Sequence, residues 1–242
     1  MPGMGTIINV AAIVVGGLLG MLVGGRLKPQ MQDSLLKANG VCVMFLGAAG
    51  ALSGMLSVGS DGVLASGRSL LIIASVLAGT FLGELLDLDG RLVRFGEWLK
   101  QASGSGGDRS FVEGFVTASM TVCIGAMAVM GAVNDGLFHD VSILVSKAIL
   151  DFVIVMVMAC SLGKGCAFSA IPVGVFQGSV TALAVLIQPL LTEAALGNLS
   201  LVGSILIFCV GVNLVWGPKI KVVNMLPSVL VAPALAFLPF AL

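Results

Sequence analysis

Long apolar runs divide this sequence and constrain its fold more than any other feature. The hydrocarbon core of a bilayer is about 30 Å thick, so an α-helix needs roughly 20 apolar residues to cross it. By this measure the sequence predicts an all-α, polytopic membrane protein with about eight transmembrane helices. The predicted spans are residues 5–25, 37–57, 68–87, 110–133, 141–162, 167–190, 200–217 and 222–242.

The last predicted span is the least regular. Pro227, Pro233 and Pro239 interrupt it, and a helix in a bilayer tolerates proline where neighbouring groups satisfy the freed carbonyls. We therefore expect either one helix or a broken, re-entrant segment over residues 222–242. The second case leaves seven complete spans.

The composition excludes the main soluble classes of protein. Hydrophobic residues make up 58% of the chain and charged residues only 10%, whereas soluble domains carry roughly 25% charged residues. The 12 basic and 12 acidic residues balance, and tyrosine is absent. A nucleic-acid partner is therefore not expected, because such binding needs a basic surface and aromatic stacking. The predicted surroundings are the lipid bilayer.

The basic residues predict the orientation of the chain, since cytoplasmic loops are enriched in lysine and arginine. If the N-terminus lies outside, ten of the 12 basic residues fall in inner loops. Those ten are Arg26, Lys28, Lys37, Arg91, Arg94, Lys100, Arg109, Lys164, Lys219 and Lys221. We expect both termini on the non-cytoplasmic side of a single membrane domain, residues 1–242.

The loop between the third and fourth spans contains an amphipathic segment. Apolar residues recur at helical spacing over residues 88–101, and charged residues fill the remaining positions. This pattern is typical of a helix lying on a membrane surface, here the inner face. The segment is either a structural surface helix or a lever presented to partners.

Internal similarities suggest repeated helical hairpins. Residues 113–118 and 177–182 share a Glu or Gln, then Gly, a variable residue, Val, Thr and Ala, and each string opens a predicted span. Hairpins with two spans repeat in parallel, which is one of the two symmetries known in transporters. Rows such as Gly16, Gly20 and Gly24 flatten one helix face. Flat faces promote helix packing in lipid, and we expect a homodimer that associates through such a face.

Four polar side chains at predicted membrane depth form the candidate pathway. A charge there costs about 2.5–3.5 kcal/mol on insertion scales, so it must face protein or water. Lys147 and Asp151 are four residues apart on one helix face; they either neutralise each other structurally or line a solute or proton route. Glu113 is either an interfacial carboxylate or a gating group, and Gln177 is suited to hydrogen-bonding a solute.

Polar residues near the outer ends of the spans have weaker functional indications. Asp135, His139 and Asp140 lie between the fourth and fifth spans. They are predicted to form a solvated, helix-capping turn, and an ion-collecting mouth is the alternative. Asn9, in the first span, is expected to clasp a neighbouring helix.

The sequence contains no motif that indicates a catalytic, metal-binding or cofactor-binding site. The chain has one histidine, His139, and five cysteines without a CxxC pair. HExxH, GxSxG and Walker motifs are absent, so neither an enzyme nor transport powered by ATP within this chain is predicted. The cysteines are expected to be small core residues without disulfides.

Several sequence stretches together carry a family resemblance. They are Gly5–Asn9, the glycines at 16, 17 and 20, Cys123–Ala132, Asp135-Gly136, Ser146-Lys147, Leu150-Asp151, Ser169-Ala170, Pro172, Gln177-Gly178, Lys219–Val222, Asn224, Leu226 and Pro227. On these residues the whole chain resembles the DUF554 family of bacterial inner-membrane proteins, which carries a transport label. The sequence departs from the family pattern at Ala126, where proline is expected, and this puts a kink in the fourth span in doubt.

The predicted function is a transporter or channel for a small polar or charged solute or ion. Lys147, Asp151, Gln177 and Glu113 would form its pathway, with no catalytic or metal-binding residues and no cofactor. The resemblance implies a multi-pass protein of the bacterial inner membrane. The alternative is a non-transporting scaffold or sensor that presents its amphipathic segment to partners.

Overall fold

The fold is all-α, as the sequence predicts. The computed structural model describes residues 2–58, 62–108, 110–123, 126–188 and 192–237. Within these ranges the helices are α1 (Met4–Gly24), α2 (Pro29–Met55), α3 (Ser69–Leu85), α4 (Leu88–Ala102), α5 (Phe111–Cys123), α6 (Ala126–Phe138), α7 (Ser142–Leu162), α8 (Gly165–Phe168), α9 (Ala170–Ala182), α10 (Ala184–Ile187), α11 (Glu193–Trp216), α12 (Val222–Met225) and α13 (Ser228–Ala234), followed by a 3-10 turn at Leu235–Phe237.

Five helical segments are long and apolar enough to cross a membrane: α1, α2, α7, the α8–α9 pair and α11. Two further pairs pass the same test together but are bent, by 54° between α3 and α4 and by 63° between α5 and α6. The count is therefore five, or up to seven if each bent pair is one span. The predicted eighth span is a shorter apolar run, Val222–Phe237, broken into α12, α13 and the 3-10 turn. Residues 238–242 of that prediction lie outside the described ranges.

The predicted fourth span, 110–133, corresponds to two helices that together are long and apolar enough to cross a membrane. It consists of α5 and α6, which meet at a bend of 63°, although proline is absent at Ala126. Near this bend, the Lys147 Nζ donates a 2.7 Å hydrogen bond to the Val122 carbonyl, one residue before the last described residue of α5.

Two helices begin earlier than the hydropathy pattern predicts. Helix α2 starts at Pro29, and proline suits the first position of a helix because its missing N–H needs no partner there. Helix α11 starts at Glu193, after Thr192 accepts a hydrogen bond from the Ala195 N–H. The sequence pattern therefore located the apolar centres of these helices and missed their polar first turns.

A short β-hairpin follows α2 and was not predicted. Strands β1 (Leu56–Val58) and β2 (Leu64–Ser66) pair antiparallel, with Leu56 opposite Ser66. Both strands are exposed along their full length. Three residues per strand are too few for a period-two pattern to stand out beside a 27-residue apolar helix.

Helix α1 packs tightly against α7, and the two run in the same direction. A methyl group placed on Gly16 would come within 2.6 Å of the Phe152 carbonyl, and one on Gly24 within 2.5 Å of the Cys160 carbonyl. The glycine row therefore serves helix packing, as the sequence indicates. Because this row is covered within the chain, it is not the surface of the expected homodimer, which stays a prediction.

The closest contacts join helices that are distant in the sequence. Helix α1 packs on α7, α2 on α11, α3 on α12 and α13, and α6 on α9. Helix α4 occupies the place predicted for the amphipathic segment and buries Leu99. The hydrophobic cluster that includes Leu206 and Val210 lies mainly between α2, α5, α7, α11 and α12. Consecutive helices alternate in direction, but their stability comes mainly from partners elsewhere in the chain.

Candidate functional site

Lys147 and Asp151 form a buried ion pair near the middle of α7. The Lys147 Nζ donates to both carboxylate oxygens, at 2.8 Å to Oδ1 and 2.6 Å to Oδ2. Their side chains are only 8% and 5% exposed. Four-residue spacing on a helix brings such a pair together, so the local geometry follows directly from the sequence.

The position of Lys147 is electrostatically unusual. It lies in the second turn of α7, near the helix end that carries a partial positive charge. Its ammonium is compensated by the Asp151 carboxylate and by the Val122 carbonyl at the C-terminal end of α5.

A cavity of about 270 Å³ lies beside the ion pair, and we call it the central cavity. Both Lys147 and Asp151 line it. Its polar lining also includes Thr121 at the end of α5 and the hydroxyls of Ser200 and Ser204 in α11. The lining is mainly apolar, and its residues Leu46, Met127 and Leu150 are exposed, so the ion pair lies beside a void that opens toward the surface of the helix bundle.

Gln177 does not line the central cavity. It is fully buried in α9, and its Oε1 accepts a long hydrogen bond, 3.4 Å, from the Asn9 Nδ2. The Asn9 side chain also interacts with the Asp151 carboxylate. Asn9 thus clasps α9, as expected, and at the same time connects Gln177 to the ion pair.

Glu113 lies at a different site from the other three predicted residues. It is exposed and lines a cavity of about 410 Å³, the end cavity, together with Asp33, Lys37 and Asp89. The structure therefore pairs Lys147 with Asp151, places Gln177 against Asn9 of α1, and places Glu113 apart from all three. An exposed carboxylate near charged neighbours fits the interfacial interpretation of Glu113.

The two cavities lie along the same three helices, α2, α5 and α11. Between them, Val43, Met120 and Val210 are each less than a tenth exposed and belong to one apolar cluster. Close contact of α2 with α11 at Gly40 and Gly211 tightens the same region. Met120 and Val210 line the end cavity and Val43 lines the central cavity, and we call these three apolar residues the constriction.

Asp135 is a polar residue whose role the sequence did not indicate. The prediction of a solvated turn is wrong for this side chain, which is fully buried in α6. Its Oδ2 accepts a 2.9 Å hydrogen bond from the Gly5 N–H in the first turn of α1. A carboxylate is favoured at a helix N-terminus, but only tertiary packing reveals which helix it caps.

Asp140 behaves as the predicted capping residue. It is exposed, and its Oδ1 accepts hydrogen bonds from the Ser142 hydroxyl at 2.6 Å and from the Ser142 N–H at 2.9 Å. These bonds stabilise the charged form and lower the pKa of the Asp140 carboxyl below its usual 3.8. Asp135 and Asp140 therefore differ completely in environment although five residues separate them.

No metal centre is apparent in the described part of the chain. Groups of three or more His, Cys, Asp or Glu side chains arranged to hold a metal ion do not occur among those residues. All five cysteines are free thiols.

Comparison with known proteins supports a membrane protein family that spans the whole fold. The chain is 28% identical over 233 residues to the uncharacterized membrane protein YdfK of Bacillus subtilis (strain 168), covering 96% of this chain and 95% of the relative. It is 29% identical over 236 residues to the uncharacterized protein YqgA of Escherichia coli (strain K12), with the same coverage. No solved structure matches the chain. The family model described as "Protein of unknown function (DUF554)" matches residues 4–237, and the chain belongs to this family.

Proposed function

We propose that this membrane protein is a transporter or channel for a small polar or charged solute or ion. The observation that carries the proposal is the buried Lys147–Asp151 pair on the wall of the central cavity. Ionisable residues inside a membrane are rare and usually mark solute, ion or proton pathways. A solute entering the cavity could pair with either charge if the ion pair opens.

Energetics favour a functional interpretation over a purely structural one. Removing two charges from water costs several kcal/mol per ion, and apolar side chains of similar volume often give equal or better stability. A structural pair would have no need of a cavity beside it, yet Thr121, Ser200 and Ser204 line one. The Val122 carbonyl adds a backbone acceptor for the Lys147 ammonium, and backbone carbonyls also face cations in transporter sites.

The arrangement of the two cavities supports transport through α2, α5 and α11. The end cavity gives access from one end of the bundle, and the constriction at Val43, Met120 and Val210 closes the way to the central cavity. We infer that movement of this constriction opens the ion pair to the end cavity. The chain contains no Walker motif, so such a cycle would use an ion gradient or run passively.

Cysteine labelling tests the proposal without knowledge of the solute. In a background lacking the native cysteines, Ser204→Cys places a thiol on the central cavity. Val202→Cys, on the same helix but fully buried in the core, is the matched control. With a small membrane-impermeant thiol reagent, we expect Ser204→Cys to react about tenfold faster than the control, because reaction requires a solvated thiolate. Equal reaction rates of the two thiols would indicate that water does not reach the central cavity and would contradict a conduit.

The solute itself can be sought by thermal stabilisation in detergent, screened over ions, amino acids and organic acids. We expect that such a solute no longer stabilises the double variant Lys147→Ala, Asp151→Asn against heating. We also expect that this variant no longer carries the solute into liposomes. The exposed pair Asp87 and Arg94, which also forms a salt bridge, provides the control when it is replaced in the same way. Unchanged flux in the first double variant would remove the ion pair from the pathway.

The scaffold alternative rests on α4, whose Phe95 and Trp98 rings stack at 5.8 Å while Trp98 stays exposed. Aromatic residues of this kind also anchor surface helices at the membrane interface. Replacing Trp98 with alanine separates the two proposals, since a scaffold loses its partner contacts and a transporter keeps its flux.

A further inference from the structure

A row of buried polar groups leads from Asp135 to the ion pair along one face of α1. The Asp135 Oδ2 accepts a hydrogen bond from the Gly5 N–H, while the Asp135 Oδ1 has no hydrogen-bond partner among the described residues. Thr6 and Asn9 follow in the next turn of α1, three residues apart and therefore on the same side of the helix. The row thus begins at the end of α6 and continues toward the middle of α7.

Several atoms of this row are buried without a partner. Within the described part of the chain, the Thr6 Oγ1, the Asn9 Oδ1 and the Gln177 Nε2 have no hydrogen-bond partner, like the Asp135 Oδ1. All four residues are at least 93% buried. Leaving buried polar atoms unpaired is costly, and native proteins usually satisfy them with protein groups or bound water.

The packing of α1 on α9 leaves room near this row. Val10 lies against Gly174, 3.2 Å from the position of a methyl group built there. Thr6 lies one turn before Val10 in α1, and Gly178 lies one turn after Gly174 in α9. A methyl group added at Gly178 would meet no atom within 4 Å. Because the two helices run in opposite directions, the space at Gly178 lies at the level of Thr6.

The mixture of donors and acceptors favours water as the occupant. The unpaired atoms comprise a hydroxyl, an amide oxygen, a carboxylate oxygen and an amide N–H group. A metal cation would satisfy the oxygens and leave the Gln177 N–H groups unpaired, whereas water both donates and accepts. A buried water usually makes about three hydrogen bonds, which such a row can supply.

We propose that bound water completes this row and that it relays protons between Asp135 and Asp151. The inference rests on the proposed transport function and specifies its coupling ion. Asn9 positions the water at the last step and does not itself carry the proton, because its amide contacts Gln177 and lies near the Asp151 carboxylate. The relay approaches the ion pair from the side opposite the central cavity.

The proton transfer is balanced as follows. A proton binds the Asp135 carboxylate, passes to bound water, and then protonates the Asp151 carboxylate while Asp135 returns to its charged form. Asp151 becomes neutral, and Lys147 keeps its proton and its hydrogen bond to the Val122 carbonyl. The site changes from no net charge to one positive charge, so it can accept an anionic group of the solute. A proton and one negative charge would then move together.

Other titratable groups lie near both ends of the relay. Lys147 and the Cys123 thiol face Asp151, and the His139 ring contacts the backbone carbonyl of Asp135 at 3.4 Å. Lys147 stays charged in the scheme and only loses its anionic partner. His139 is exposed and lies where protons would enter from solvent.

Hydrogen–deuterium exchange of side-chain amides tests for water in the row. The full-length wild-type protein is placed in nanodiscs, and NMR signals of Asn9 and Gln177 are assigned with Asn9→Leu and Gln177→Leu. The control is Asn198, an equally buried amide whose Nδ2 donates to the Ala232 carbonyl at 3.1 Å. We expect Asn9 and Gln177 to exchange about tenfold faster than Asn198 and to show cross-relaxation with water. Exchange as slow as that of Asn198 would overturn the relay.

Time-resolved infrared spectroscopy tests proton movement along the row. The signal is a protonated-carboxyl band that grows after an acid jump. If this band is missing from Asp151→Asn, it measures the protonation of Asp151. Asp135→Asn keeps an acceptor for the Gly5 N–H but cannot carry a proton, so we expect about tenfold slower growth of the band. Asp140→Asn, the exposed neighbour, should leave the rate unchanged. An unaltered rate in Asp135→Asn, or no Asp151 band in the wild type, would overturn the proposal.

The outcomes of these experiments separate the two proposals. Labelling of Ser204→Cys depends only on the central cavity and not on the row along α1. If the Ser204→Cys thiol reacts quickly but the Asn9 and Gln177 amides exchange slowly, the conduit proposal stands and proton coupling through Asp135 is rejected.

Discussion

Two ion pairs of this protein share their spacing and their N–O distance but differ in burial and in the order of the charges. Lys147–Asp151 in α7 and Asp33–Lys37 in α2 are each four residues apart, with closest N–O distances of 2.6 Å and 2.7 Å. The first pair is nearly buried, whereas the side chains of Lys37 and Asp33 are 52% and 57% exposed. Distance alone therefore says little about what each pair contributes.

The order of the charges makes the comparison sharper. An acid four residues before a base agrees with the helix dipole, as in Asp33–Lys37. Lys147 precedes Asp151, which is the less favourable order on an isolated helix. The buried pair is thus supported from outside its own helix, by the Val122 carbonyl and the Asn9 side chain. A site that depends on two other helices, α5 and α1, in this way can respond when one of them moves.

The largest expected effect comes from breaking the buried pair. Asp151→Asn leaves the Lys147 ammonium buried without its counter-charge, so we expect a loss of about 3–5 kcal/mol in the free energy of unfolding. Chemical unfolding in detergent, followed by circular dichroism, measures this loss.

Removing both charges provides the control for that prediction. Lys147→Met combined with Asp151→Leu should be more stable than Asp151→Asn alone, because no unpaired charge remains in the core. A double variant that is less stable than the single one would show that the pair itself holds α7 in place.

A second effect concerns the helix packing behind the buried pair. Gly16 faces the carbonyl of Phe152, the residue after Asp151, and a methyl group there would come within 2.6 Å of it. We expect Gly16→Ala to cost about 1–3 kcal/mol of unfolding free energy, because α1 and α7 must move apart. Gly25→Ala is the control, since its methyl group would meet only the Met21 carbonyl at 3.5 Å. Equal stability of the two variants would mean that the α1–α7 contact is loose.

The exposed pair should contribute far less than the buried one. Asp33→Asn removes one partner of a solvated pair, and we expect a loss of about 0.2–1 kcal/mol, reduced further by salt. The same unfolding measurement at low and high ionic strength checks this value. A loss as large as that of Asp151→Asn would show that solvent exposure does not separate the two pairs.

The sequence revealed those parts of the site that depend on local spacing. Lys147 and Asp151 could be paired from the four-residue period alone, and the apolar runs located the helix centres. Asp135 could not be recognised as buried, because its partner is the Gly5 N–H, 130 residues away in the chain. The separation of Glu113 from the ion pair likewise follows from how α5 packs between two cavities.

The bend between α5 and α6 shows a second limit of sequence analysis. Residue 126 is an alanine, so the residue type gave no reason to expect a break. The structure bends by 63° there, and the Lys147 ammonium binds the end of α5. A helix break stabilised by a side chain from another helix leaves no local signature in the sequence.

The smallest expected effect is that of a fully solvated carboxylate. Hydrogen bonds from Ser142 lower the pKa of Asp140 in the folded protein below its usual 3.8. The charged form therefore stabilises the fold at pH values above 3.8, and this contribution is lost as the pH falls through the lowered folded-state pKa. Asp140→Asn should flatten the dependence of the unfolding midpoint on pH in this acidic range and leave it almost unchanged at neutral pH. Because Asp140 is exposed, the effect should be smaller than that of Asp33→Asn, and an equal or larger one would show that the turn before α7 shares in the stability of the buried pair.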